Sequence, residues 1–364
     1  MQIKELVDFL NAQIPPGLQE EYDNSGLLLG DPNQELKGVL VTVDVTEEVV
    51  DEAVNRGSNF ILAHHPLIFS GIKQLTGKNY VERTVIKAIQ NGVAVYAAHT
   101  SLDNLKNGLN YKMGDKLGLK NQRILRPAQQ QLLKLVFFVP TDHADEVRQA
   151  VFDAGAGFIG DYAGCSYNLT GKGSFIPGEG TDPYVGEQGE MHFEEETRVE
   201  TWVPRHSMAQ VLKAMNQAHP YEEVAYDLYP LANEDKGSGS GLIGELEEEM
   251  PEKEFLDLLK KAFGAPLIRH TKLMYSFVKR IALCGGSGSF LLEDALRQGA
   301  DVFVSADFKY HRFFDADEQI LVADIGHHES EWVAKEFFYE LLTKKFYNFA
   351  VHYSEINTNP INYY

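Results

Sequence analysis

Three apolar runs of strand length end abruptly in imidazoles, and they come from opposite ends of the chain. Residues 60–66 read Phe-Ile-Leu-Ala-His-His-Pro. Residues 93–103 read Val-Ala-Val-Tyr-Ala-Ala-His-Thr-Ser-Leu-Asp. Residues 320–332 read Ile-Leu-Val-Ala-Asp-Ile-Gly-His-His-Glu-Ser-Glu-Trp. In open α/β sheets, ligands collect beyond the carboxyl ends of the strands. Three such ends loaded with metal-type donors call for a fold in which remote segments meet at one shared site.

The rest of the pattern alternates strand and helix. Ile3, Leu6, Val7, Leu10 and Ile14 keep helical spacing up to Pro15-Pro16. Strands are expected at 39–45, 59–63 and 93–97, with helices after Thr46 and at 80–90 and 108–117. That rhythm means βαβ units and a mostly parallel sheet. The character changes near Pro127. Residues 128–131 read as a polar linker, followed by a strand (132–139), a helix (143–154) and glycine-rich hairpins to Gly189. A strand (197–203), a helix (207–218) and a last alternating strand (224–229) complete a β-α-β-β-α-β, ferredoxin-like order. Residues 233–241, Asn-Glu-Asp-Lys-Gly-Ser-Gly-Ser-Gly, read as a flexible return linker. The βα rhythm then resumes, with helices at 252–263, 290–298, 307–314 and 329–342 and strands at 281–284, 302–304, 321–323 and 349–353. The expected fold is α/β. Two βα blocks, 1–126 and 237–364, form one bipartite metal-site core, and an α+β domain at 127–236 is inserted between them.

A formal net charge of −20 argues against a nucleic-acid partner, which needs clustered Lys and Arg. No apolar run approaches the roughly 20 residues that span a bilayer. The chain opens on an amphipathic helix without a secretory pattern, so a cytoplasmic location is expected. Cys165 and Cys284 read as reduced core thiols.

Imidazole with carboxylate suits divalent transition metals, and Zn, Fe, Mn, Co and Ni are all compatible. His64 and His65 are adjacent, so their side chains diverge at a strand end and suit two ions better than one. His327 and Glu331 lie four apart at a helix start and share a face. Asp103, expected on a loop, can bridge two ions with its two oxygens. Five donors exceed what one tetrahedral catalytic ion with an open position needs. They fit a pair of ions about 3.5–4 Å apart that activates a bridging water to hydroxide. The plain alternative is that each histidine is a hydrogen-bonded turn residue. His99 and His328 are left to orient ligands, handle protons, or simply pack. Asp307 and His311 share an expected helical face near another strand end and either line the cleft or not. Asp23, Asn24 and Ser25 read as turn chemistry more readily than as cleft residues. Gly-Gly-Ser-Gly-Ser at 285–289 lies between strand and helix, where backbone N–H groups can hold a phosphate, but it equally suits a tight turn.

With these residues in view, the sequence resembles the dinuclear-metal-centre proteins known as GTP cyclohydrolase 1 type 2 homologues. The carriers are Tyr22-Asp23-Asn24-Ser25-Gly26-Leu27, His64-His65-Pro66, His99-Thr100-Ser101-Leu102-Asp103, Cys284-Gly285-Gly286-Ser287-Gly288, Asp307-Phe308-Lys309-Tyr310-His311, and Gly326-His327 with Glu331. The resemblance implies metal ligands at His64, His65, Asp103, His327 and Glu331. The insert resembles the PII-like domain of longer family members, with Ala218-His219-Pro220-Tyr221-Glu222-Glu223 as its signature. The family further implies two divalent ions per chain, a homohexameric toroid with metal sites facing an internal cavity, and a small-molecule substrate, either a nucleotide or another phosphorylated compound. The name implies hydroxide attack on purine C8 with loss of formate. The alternative is a non-enzymatic, metal-stabilised scaffold or regulator whose insert senses a ligand.

Overall fold

The computed structural model describes residues 1–274 and 276–364. They divide into two compact units, Met1–Arg126 with Ser238–Tyr364, and Pro127–Gly237.

The first unit is built on two sheets. One has five strands in the order Gly26–Leu29, Ala94–Ala97, Phe60–Ala63, Gly38–Thr42 and Ala350–Tyr353. All its neighbours are parallel except the first pair. The other has six, ordered Arg269–His270, Leu321–Asp324, Val302–Ser305, Phe277–Leu283, Asp235–Pro251 and Lys120–Ala128. Its three central strands, Leu321–Asp324, Val302–Ser305 and Phe277–Leu283, run parallel. The parallel strands are covered on both faces, so every residue of Phe60–Ala63, Ala94–Ala97 and Leu321–Asp324 is buried and no polar alternation appears. One core joins the sheets: Phe60, Leu62 and Tyr96 from the first meet Leu283, Val304 and Ala323 from the second. The helices Ile3–Gln13 and Val333–Lys345 add Leu6, Leu10, Phe338 and Leu342 to it. The outer faces pack separately. Ile61 and Val95 sit on Val50 and Val85 from the helices Glu47–Asn55 and Tyr80–Gln90, and Ala282, Phe303 and Val322 sit on Leu292. Because the sheets share a core, their ligand-bearing strand ends open on the same region.

The second unit is a four-stranded antiparallel sheet ordered Ser166–Phe175, His192–Pro204, Leu132–Pro140 and Tyr226–Pro230. Val147 and Val151 of the helix Ala144–Asp153, and Val211 and Met215 of the helix Met208–Ala218, cover Leu135, Phe137, Val199 and Val203. The chain order is the split βαβ arrangement.

Several local expectations change. The strand expected at 39–45 stops at Thr42, so Asp44 leaves the ladder. Asp103 closes a one-turn helix, Thr100–Asp103, rather than lying on a loop. The helix expected at 307–314 is a 3-10 run, Tyr310–Ala316, and Asp307 precedes it with φ +55°, so Asp307 and His311 share no helical face. The helix expected from Glu329 starts two residues earlier, as His327–Glu331, and continues as Val333–Lys345. The supposed linker at 233–241 is mostly strand, part of Asp235–Pro251. Its Gly-Ser alternation serves packing. Gly241 has φ +66°, and a Cβ there would lie 2.7 Å from Leu291 Cδ1 and 3.0 Å from the Leu283 carbonyl. The strand Lys120–Ala128 went unanticipated because most of it is polar and only Ile124 and Leu125 are fully buried. Both cysteines are free, but only Cys284 is buried and Cys165 is half-exposed. No described helix is long and apolar enough to cross a membrane.

Candidate metal centre

The strand Phe60–Ala63 delivers His64 and His65 at its carboxyl end, and the strand Ala94–Ala97 delivers His99 and, one short turn on, Asp103. From the other sheet, Leu321–Asp324 leads through Gly326 into His327–Glu331. These side chains meet. His65 Nε2 lies 2.8 Å and His327 Nε2 3.0 Å from Glu331 Oε2. His64 Nε2 lies 3.6 Å from Glu331 Oε1 and 3.7 Å from Asp103 Oδ1. His65 and His327, 262 residues apart, bring their Nε2 atoms to 3.3 Å. Two donor groups result, His65–His327–Glu331 and His64–Asp103–Glu331, each with ligand atoms within 4.8 Å of one another. Glu331 belongs to both, one oxygen toward each. Glu331, rather than Asp103 as expected, is the carboxylate shared by the two groups. A third group, His64–His65–His99, adjoins them.

The imidazoles are oriented from behind. His64 Nδ1 donates to the Ala98 carbonyl (3.1 Å), His65 Nδ1 to Asp44 (2.7 Å) and His327 Nδ1 to Asp307 (2.7 Å). Each acceptor fixes the N–H on Nδ1 and leaves the Nε2 lone pair facing Glu331, the arrangement of metal-ligating histidines. His64 Nε2 and Asp103 Oδ1, 3.7 Å apart, are buried and without a hydrogen bond. An unsatisfied buried polar atom costs on the order of 1–3 kcal/mol. Two of them facing each other fit a divalent cation, as does a donor set of imidazole and carboxylate.

The charges agree. Burial opposes protonation of His65, but Glu331 and Asp44 overcome it and raise its pKa to about 10. For His327, burial is outweighed by Asp307 and Glu331, and the value rises to about 11. Burial and the Glu331 charge push Asp103 up to about 8. Glu331 resists its own burial, because His64, His65 and His327 hold it well below the usual carboxylate range. Without a metal, protons take the cation's place.

Other residues sort themselves around this centre. His99 Nδ1 donates to Asp23 (2.7 Å), and its ring stands edge-on to His64 and His65, with centroids 5.4 and 5.3 Å away. Asp23 also accepts from the Thr100 backbone N–H (3.0 Å). The turn reading of Asp23 is thus corrected: its carboxylate orients a histidine 76 residues away. Ser25 accepts from the His99 backbone N–H (3.3 Å), while Asn24 donates to the Ile68 carbonyl (2.6 Å). His328 lines a cavity of about 500 Å³ beside the centre, with Asp44, His65, Arg269, Asp307 and His327. His311 is exposed and meets Tyr310 edge-on and Phe314 at a tilt (centroids 5.2 and 6.2 Å). The Gly-Gly-Ser-Gly-Ser segment is a turn whose three glycine N–H groups are already taken. Gly285, Gly286 and Gly288 donate to Asn110, Ser330 and Ser305 (2.9, 2.9 and 3.0 Å). Gly286, at φ +59°, also gives way to Glu331, whose Oε1 a Cβ there would strike. Asp44 was missed in sequence. A lone carboxylate breaking a valine run just before a strand end was its one signal.

The chain as a whole is similar to known proteins. The family model Duf34/NIF3 (NGG1p interacting factor 3) matches residues 1–360. The "GTP cyclohydrolase 1 type 2 homolog" of Halalkalibacterium halodurans is 42% identical over 354 residues, covering 96% of this chain and 95% of that protein. The protein of that name from Bacillus subtilis is 37% identical over 366 residues, covering 99% and 98%. A Bacillus cereus protein related to NIF3 superposes with a TM-score of 0.85 at 38% identity, covering 100% of this chain and 99% of that one.

Proposed function

The chain belongs to the Duf34/NIF3 family, and from that premise we propose that it is a dinuclear-metal hydrolase acting on a nucleotide or another phosphorylated small molecule. The observation that carries the reading is the convergence of three imidazole Nε2 atoms on the two oxygens of one buried glutamate, each ring fixed from behind. His64, Asp103 and Glu331 would hold one ion, and His65, His327 and Glu331 the other. Zn, Fe, Mn, Co and Ni all suit these donors. Such a pair, when bound, acidifies water and polarises the substrate. The chain's own residues supply the rest. Asp44 and Asp307 hold the imidazoles in register. Asp23 pins the N–H of His99 on Nδ1, so His99 Nε2 is free to take up a proton beside the centre. The 500 Å³ cavity admits a small molecule. The relatives' name points to hydrolytic opening of a guanine nucleotide with loss of formate. The test is turnover of GTP by metal-loaded protein, with Asp103→Ala as control. Formate released by the parent alone supports the reading, and release by both or by neither refutes it.

A second reading has its own support: the inserted unit builds a separate core, and the donor groups lie outside it. On this reading the protein is a cytoplasmic homohexamer in which the metal stabilises the core and a PII-like insert senses a ligand. A mass in solution below six chains would count against it. So would a melting temperature indifferent to chelation.

A further inference from the structure

The inserted unit contains a cavity of about 460 Å³ that is separate from the metal centre. Small-molecule sites run from about 300 to 1,000 Å³. Its walls include the rings of Phe138, Phe175, Tyr184 and Tyr221, and the carboxylates of Glu196 and Glu222. No lysine or arginine lines it. We infer that this cavity is a binding site for a small organic ammonium ion, held by the aromatic faces and by Glu196.

Glu196 carries the argument. It is only 9% exposed, and its one hydrogen bond is from the uncharged Tyr221 hydroxyl to Oε1 (3.1 Å). Arg198 lies over the Phe138 ring at 6.0 Å and is ion-paired with Glu200 (2.8 Å). A buried carboxylate without a counter-charge is unfavourable. Burial accordingly pushes the Glu196 carboxyl above its ordinary value. A cation entering the cavity relieves this.

The rings are set in advance for such a guest. The Tyr184 hydroxyl bonds His143 Nε2 (3.0 Å), and the Tyr221 hydroxyl is anchored on Glu196. Their centroids lie 6.2 Å apart, and Phe175 is 6.0 Å from Tyr221. Aromatic faces around a carboxylate favour alkylated ammonium groups through cation–π attraction. A metal ion fits less well. Among the described residues, every group of donors close enough to chelate one lies in the first unit.

The test uses the full chain and calorimetric titration with choline, with its neutral isostere 3,3-dimethylbutan-1-ol at matched ionic strength. The expected result is saturable binding of about one choline per chain, with the alcohol at least about tenfold weaker. Glu196→Gln should weaken choline by about tenfold or more while leaving the melting temperature near that of the parent. If Glu196→Gln fails to fold, Tyr184→Ala removes an exposed cage wall and should weaken choline severalfold. Binding should persist in chelator-treated Asp103→Ala protein, since the site is independent of the metal reading. Absence of choline binding overturns the inference, as does equal affinity for the alcohol. So does a Glu196→Gln chain that binds like the parent.

Discussion

Asp44 reaches the centre only through His65, so replacing it isolates what orientation contributes. Asp44→Asn keeps the shape and can still accept a hydrogen bond, but it removes the charge behind the ring. In the metal-free protein His65 rises from 6.5 to about 10, a shift of about 3.5 units or about 5 kcal/mol at 1.36 kcal/mol per unit. Glu331 contributes more to the rise than Asp44, so about 2 kcal/mol is a fair share for Asp44, discounted for its partial exposure. That converts to a factor of about 30 in how strongly the His65 ring holds a positive charge, proton and metal ion alike, so the loss shows in full only above about pH 10, where the ring carries no competing proton; it lies within the 10–100-fold usually lost when a partner behind a metal ligand is removed. The substitution should therefore weaken one of two metal-binding steps by about that factor and leave the other within about threefold. Competition against a chromogenic chelator at fixed pH measures both steps. Asp23→Asn, which acts on His99, serves as the control and should leave both steps unchanged. Unaltered affinities in a folded Asp44→Asn protein would refute the orientation argument, and so would an equal loss in Asp23→Asn.

Metal affinity should climb with pH, because His65 and His327 are held protonated up to about 10 and 11 and must release protons to bind. Titrations in buffers of different ionisation enthalpy would count them. In chelator-treated protein the same two imidazoles bind protons more tightly folded than unfolded. Their stabilisation is complete below pH 6.5 and lost as pH rises through 10 to 11, and Asp103, raised from 3.8 to about 8, acts in the same direction at lower pH. Urea midpoints of the apo-protein should fall steadily from pH 5 to 10. Glu331→Ala should remove both ions and Asp103→Ala one, read by elemental analysis. Gly241→Ala should cost about 2 kcal/mol, because the left-handed backbone and the tight approach to Leu291 both disfavour a Cβ. A flexible tether there would show no change.

The layout of the core could be read from sequence because buried parallel strands write themselves as unbroken apolar runs. The five side chains that converge could be picked out because imidazoles at three strand ends are chemically conspicuous. What sequence hid acts through space. Asp23 and Asp44 look like turn residues until the fold brings His99 and His65 against them. The Glu331 bridge depends on which way a helix start faces, and Gly286 shows its purpose only once that carboxylate lies against it. The Gly-Ser tract was misread for the reverse reason. Small residues signal flexibility only where nothing packs on them, and Leu291 and Leu283 do. His311 was grouped with Asp307 by an assumed helical period that the φ of +55° at Asp307 breaks.

The interruption of the first unit by the second has a bearing on biogenesis. On a ribosome, His64, His65 and Asp103 emerge first, and roughly 200 further residues must be made before His327 and Glu331 follow, an interval of about 10–40 s at ~5–20 residues per second. The intervening unit has its own core and can condense during that wait. Completion of the two donor groups is then the closing event of synthesis, and a nascent chain arrested before Glu331 lacks the carboxylate common to both.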